Sequence, residues 1–170
     1  MDFNTVIKDR YSCKSYDGAA PSQEQIAAVL EAGRCAPTAK NLQEQHIYVC
    51  QSPEALAKID EITPCRYKAP CVLVVAFDTA HVFTYPGGER DSGVEDASIV
   101  CTHLVLAAQN AGLQSCWVNL FDPAKAKQTL GLPESEEVLA LVDLGFASEK
   151  GRPLPNHFNR KELAETVTYL

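Results

Sequence analysis

The twenty residues VEDASIVCTHLVLAAQNAGL, positions 94–113, constrain this chain more than any other stretch. Ala97, Val100, Cys101, Leu104, Ala107, Ala108 and Ala111 repeat along one helical face, while Ile99, Val105 and Leu106 lie off it. A helix that is apolar on more than one face is buried on more than one face. The segment therefore predicts a long central helix with the rest of the chain packed around it. Its alanine stripe predicts close approach to another helix, of this chain or of a second subunit. His103 stands two residues after Cys101, so the two project to different sides and do not jointly hold a metal; the plain reading is a satisfied helix histidine.

What packs around that helix is a sheet. The run CVLVVAFD (71–78) has no polar residue before its last and reads as a strand covered on both faces; HIYVCQ, QSCWVNLF and EEVLALVDLGFAS read as further strands. Helices are predicted over residues 2–10, in PSQEQIAAVLEAGRCAP with Pro37 ending it, in SPEALAKIDEI, and in DPAKAKQTLG with Asp122 as cap and Pro123 in its first turn. NRKELAETVTYL predicts a last helix capped by Asn159. The run YPGGERDSG marks a surface loop. At 170 residues and 46% hydrophobic composition, the expectation is one domain over residues 1–170, α/β or α+β.

Fifteen Lys and Arg against 22 Asp and Glu give a net charge of −7, which argues against a nucleic-acid-binding surface. Seven cysteines, an odd number with no C-x-x-C pair, signal neither a zinc site nor a complete disulfide framework. They read as small buried hydrophobes. Charges in MDFNTVIKDR occupy the place of a secretory apolar segment, and no apolar run is long enough for a membrane span, so a reducing cytoplasm is the expected setting.

No Walker loop, G-x-S-x-G or H-E-x-x-H is present, and His46, His81, His103 and His157 give no ligand pair at helical spacing. The acidic chain nevertheless concentrates cations in KDRYSCKSYDG. Alternate residues of an extended segment share a face, so Arg10, Ser12 and Lys14 place a planar fork, a hydroxyl and a point charge on one side, a set suited to phosphate. On chemistry alone the same run also reads as a solvated charged turn.

RYSCKSYD resembles the R-R-S-x-R-x-F signature of the nitroreductase family of FMN-dependent oxidoreductases, and APTAKNLQEQHIYV resembles that family's A-P-S-x-x-N-x-Q-P-x-x-F element. The likeness continues through the central helix into GLQSCWVNLF, similar to G-L-G-T-x-W, through LVDLGFAS and to NRKELAETVTYL, so it spans essentially the whole chain. The resemblance implies a compact α+β nitroreductase-like fold, a central mixed β-sheet flanked by helices, with a long buried central helix, in a homodimer whose flavin sites lie at the subunit interface.

Carried over by position, it implies that Arg10 and Ser12 hold the FMN phosphate and ribityl chain, Lys14 the pyrimidine edge, and Arg160 the phosphate. Pro37, Thr38, Ala39 and Asn41 would reach the flavin of the partner subunit, and Asn119 and Leu120 would approach its N5 edge. A further basic residue near the ring would be Arg66 or Lys68. No side chain need act as catalytic acid or base. The implied activity is ping-pong reduction of an electron-poor acceptor, nitroaromatic or quinone, with NADH or NADPH as donor. Dehalogenation, flavin fragmentation or ring oxidation are rival chemistries with YPGGERDSG as substrate determinant, and a slow redox sensor using Cys13 beside Lys14 is another. Some departures from the pattern bear on the site. Tyr11 replaces the second Arg, Glu44 the usual Pro, and Leu120 a common Gly.

Overall fold

A computed structural model describes Met1–Leu170. Its elements, in chain order, are α1 (Phe3–Asp9), α2 (Gln23–Arg34), β1 (Gln45–Cys50), α3 (Pro53–Ile62), β2 (Cys71–Asp78), α4 (Gly93–Asn110), β3 (Gln114–Val118), α5 (Pro123–Leu130), β4 (Glu136–Gly145) and α6 (Leu163–Thr166). The helix starts follow the sequence chemistry. Ser22 closes a capping box with Gln25, Ser52 caps α3 ahead of Pro53, and Asp122 accepts from the N–H groups of Ala124 and Lys125 ahead of Pro123. Gly112, at φ +78°, turns the chain from α4 into β3, a conformation costly for a residue with a Cβ.

The strands form one sheet in the order β1-β2-β4-β3. All three pairings are antiparallel, with Val74 opposite both Tyr48 and Leu141 and a bulge at Val75/Ala76. The expected mixed sheet is thus corrected: the one parallel pairing is an isolated bridge, Ser12 to Ser115, at the β3 edge. The physical reason is connectivity. β1 with β2, and β3 with β4, are consecutive strands that lie side by side, and in each pair the chain re-enters the sheet at the end where it left.

β2 is buried at every position but the last, because both faces of the sheet are covered. On one face Leu73, Val75, Phe77, Ala140, Val142 and Leu144 pack with Val29 of α2 and Ala97, Val100, Leu104 and Ala108 of α4. On the other, Val72, Val74, Cys116, Val118, Val138 and Leu141 pack with Ile59 and Ile62 of α3 and Ala126 of α5. α4 is the longest helix, 18 residues, and its packing brings Gly33 of α2 so close that an added Cβ would strike Leu104.

The tail departs from expectation. Only Leu163–Thr166 is helical, Glu162 rather than Asn159 precedes it as cap, and every residue from Phe158 to Leu170 lies open to solvent. With no apolar face buried, a short helix has nothing to offset its nucleation cost, and the β-branched run Thr166-Val167-Thr168 weakens it further. No helix is long and apolar enough to cross a membrane.

Candidate cofactor site

The segment after α1 runs along the β3 edge, held by the Cys13 N–H to Ser115 O bond at 2.9 Å. The segment after β4 returns beside it, tied by Ser148 N–H to Ser15 O and by Tyr11 Oη donating to Gly151 O at 2.5 Å. Between them opens a cavity of about 300 Å³ lined by Tyr11, Ser12, Lys14, Cys116, Trp117, Leu154, Asn156 and His157. A second cavity of about 550 Å³ adjoins it, and its walls include Lys14, Tyr67, Lys68 and Lys150. Lys14 belongs to both, so its ammonium stands at their junction.

The electrostatics of these cavities favour one sign. Lys14, Lys68 and Lys150 form no ion pair, whereas Arg34, Arg66, Arg90 and Lys127 each have a carboxylate partner. Against the three ammonium groups stands a single carboxylate on the walls, that of Glu149. In a chain of charge −7 this is a local field for an anion. Ser12 adds a hydroxyl and Trp117 an aromatic wall, its indole fixed by a bond from Nε1 to Asn119 Oδ1 at 2.7 Å.

The predicted residues divide. Ser12 and Lys14 line the cavity. Arg10 ends α1 as its C-cap and is not part of the lining. Arg160 donates to the carbonyls of His157 and Asn159, next to a lining residue but turned onto its own backbone. Asn119 positions Trp117, and Leu120, which is exposed, has its carbonyl engaged by Thr63 Oγ1 at 2.7 Å. Pro37, Thr38, Ala39 and Asn41 contribute to neither cavity; they form a short turn anchored on α4 by the Ala39 N–H to Asp96 Oδ1 bond at 2.9 Å. Of the two candidates for a further cation, Arg66 is spent on Asp60 and the carbonyl of Ala69, leaving Lys68 to face the second cavity.

Sequence reasoning missed Tyr11 as a wall, and also Asn156 and His157. Tyr11 is visible only as a departure from the signature, and its contact partner lies 140 residues away. Cys13 is fully buried, and burial pushes its thiol up rather than activating it, even with Lys14 beside it in sequence. Behind the cavity, Asp143 of β4 pairs in register with Cys116 and is 1% exposed, with Oδ2 lacking any partner. Burial pushes its carboxyl up to about 9, against the weaker opposing pull of Arg66, so it is a neutral acid at pH 7. His103 Nδ1 donates to Ile99 O, 2.9 Å away, as a helix histidine satisfied by its own helix.

An antiparallel sheet between two helical layers, with a lysine-rich pocket where residues 11–16 and 147–157 meet at its β3 edge, is the framework of an α+β domain suited to an anionic ligand. The sequence profile of the nitroreductase family matches residues 7–68 and 64–146, and the chain belongs to that family. It is similar to a nitroreductase family protein of Clostridium difficile, at 32% identity and a TM-score of 0.92 over 99% of this chain and 98% of that one. It is also similar to a provisionally named NADH dehydrogenase/NAD(P)H nitroreductase of Archaeoglobus fulgidus, at 30% identity over 85% of each chain. A provisionally named nitroreductase of Exiguobacterium sibiricum, solved in complex with FMN, shares the fold at a TM-score of 0.87 and 18% identity, over 100% of this chain and 98% of that one.

Proposed function

We propose that this protein is an FMN-dependent oxidoreductase that takes electrons from NADH or NADPH and passes them to an electron-poor organic acceptor, a nitroaromatic or a quinone, by a ping-pong mechanism. One observation carries the reading: three unpaired lysines and a serine surround adjoining cavities in an otherwise acidic chain. The group they fit is a phosphorylated planar cofactor, with Ser12 and Lys14 among its holders and Lys68 beside them. The name of the Archaeoglobus relative and the FMN complex of the Exiguobacterium structure support the donor and the cofactor.

Bound FMN would supply two-electron chemistry that no side chain of this protein offers. The chain's own contribution is electrostatic and positional. Lys14 holds a fixed positive charge at the junction of the cavities, which favours added negative charge there. Trp117, locked by Asn119, keeps one wall flat. Neither demands a proton-transferring side chain.

The homodimer belongs to the same proposal. Met1, Phe3, Val6, Ala32, Leu106 and Ala107 line an apolar groove between α1, α2 and α4, and Pro37–Asn41 stands outside the cavities of its own chain. A second copy covering the groove and bringing its turn to the cavity accounts for both. The first experiment is an absorption spectrum from 300 to 550 nm after incubation with FMN, followed anaerobically on addition of NADH and then NADPH, with light scattering for the mass. Flavin bands that bleach with a donor in a particle of twice the chain mass are the expected result; a folded protein that takes up no FMN refutes the reading.

A further inference from the structure

Five buried side-chain oxygens in the protein lack a hydrogen-bond partner, and four of them sit where the 38–43 turn meets α4 and β1: Glu44 Oε1 and Oε2, Asp96 Oδ2, and Gln45 Oε1 one residue along. Glu44 is 6% exposed and Asp96 3%. Two buried carboxyl groups facing each other with open oxygens are not both charged, because like charges in a dry site repel and each loses its water. Asp96 is already committed as an acceptor, its Oδ1 taking the Ala39 N–H at 2.9 Å. The donor's part in the pair therefore falls to Glu44, whose two oxygens carry no other bond.

The turn needs such an anchor. Lys40, Asn41 and Gln43 have φ of +52°, +57° and +55°, left-handed values that none of these side chains prefers over the ordinary helical region. Inside the turn Asn41 N–H bonds Thr38 O and Gln43 N–H bonds Thr38 Oγ1, but the Ala39 to Asp96 bond is the one hydrogen bond that ties Thr38–Gln43 to the rest of the chain. We infer that Glu44 is a neutral acid donating its proton to Asp96 Oδ2, and that this shared proton positions the Thr38–Gln43 turn for the flavin of a second copy.

Glu44 is thus a positioning residue, acting through Asp96 and the turn, and its role in flavin binding rests on the function proposed above. Burial, reinforced by Asp96, pushes the Glu44 carboxyl up to about 7, so ionisation in the neutral range releases the turn. No cation answers it. Lys40 lies over the Phe83 ring, His81 is bonded to Asp78, His46 to Glu136, and Arg90 to Glu95. His46 and His81 line the same hollow as Glu44, so a variant without the acid is the necessary control.

The test is amide hydrogen exchange of residues 38–43 in the full chain, from pH 4.5 to pH 8.5 and corrected for intrinsic rates, for the wild type and Glu44→Gln. Gln keeps an N–H donor for Asp96 Oδ2 and cannot ionise. Wild-type protection should fall by up to about tenfold per pH unit as the pH rises from about 4.5, the ordinary value, to about 7 and level off above it, while Glu44→Gln stays flat. FMN affinity should weaken over the same interval in the wild type only. Protection that is flat in the wild type, or that falls equally in Glu44→Gln, overturns the inference. So does protection that is independent of pH but rises with added Mg²⁺ or Ca²⁺, since the four oxygens would then serve a cation. If FMN does not bind at all, the exchange result still stands or falls alone.

Discussion

Replacing Asp143 by Asn isolates the cost of the buried acid behind the cavity. In the folded chain the carboxyl ionises only near pH 9, against its ordinary 3.8. Between those values folding takes up a proton from water. The group's folded value is raised, so its contribution to stability is complete below about pH 4 and is lost progressively as pH climbs to about 9, at about 1.4 kcal/mol per pH unit. The asparagine of the variant has the size and neutrality of the protonated acid and takes up nothing. The stability gap between Asp143→Asn and wild type should therefore widen in favour of the variant by about 4 kcal/mol from pH 5 to pH 8. Every other titration is common to both proteins and cancels, and the Tyr16 Oη bond to the backbone carbonyl at this position survives the substitution. Urea unfolding followed by circular dichroism at four pH values, at fixed ionic strength, gives the gap directly. A gap that does not change with pH would mean that Asp143 is ionised in the fold, by water or by Arg66, and that the burial argument fails.

Three other outcomes follow from the geometry. Lys14→Ala and Lys68→Ala should each weaken FMN binding about tenfold or more in fluorescence-quenching titrations, with a shallower salt dependence than wild type. Gly93→Ala places a Cβ against the Phe77 ring at the start of α4 and should lower stability by about 1–3 kcal/mol in thermal or urea unfolding. Thiol titration of the native protein should find Cys35, the one exposed cysteine, reacting first, and Cys13, Cys71 and Cys101 reacting only on unfolding.

Elements whose pattern is enforced by burial are legible in the sequence. Cys71–Asp78 is readable end to end because both faces of β2 are covered and no polar residue intrudes. Helix starts at Ser22, Ser52 and Asp122 are readable because capping is local chemistry. The tail is not, because its apolar residues suggest a helix face while nothing in the local sequence says whether a partner surface exists. Strand direction is equally silent in composition, which is why the mixed sheet implied by resemblance gave way to an antiparallel one. In the site, Ser12 and Lys14 follow from alternation on an extended segment, but the destinations of Arg10 and Arg160 depend on contacts made far along the chain. Asp143 did leave a signal: an aspartate inside the apolar run LVDLG belongs to the core, and a buried acid there departs from its ordinary ionisation.

The cavity's walls are drawn from residues 11–14, 116–117 and 154–157, and the bond from Tyr11 to Gly151 joins two stretches 140 residues apart. On the ribosome, all four strands and both helical layers emerge between the first of these walls and the last. A nascent product that stops at Gly145 can therefore carry the whole sheet and still have no closed place to hold a ligand. Closure of this cavity therefore requires residues 154–157, which the folding of the sheet does not.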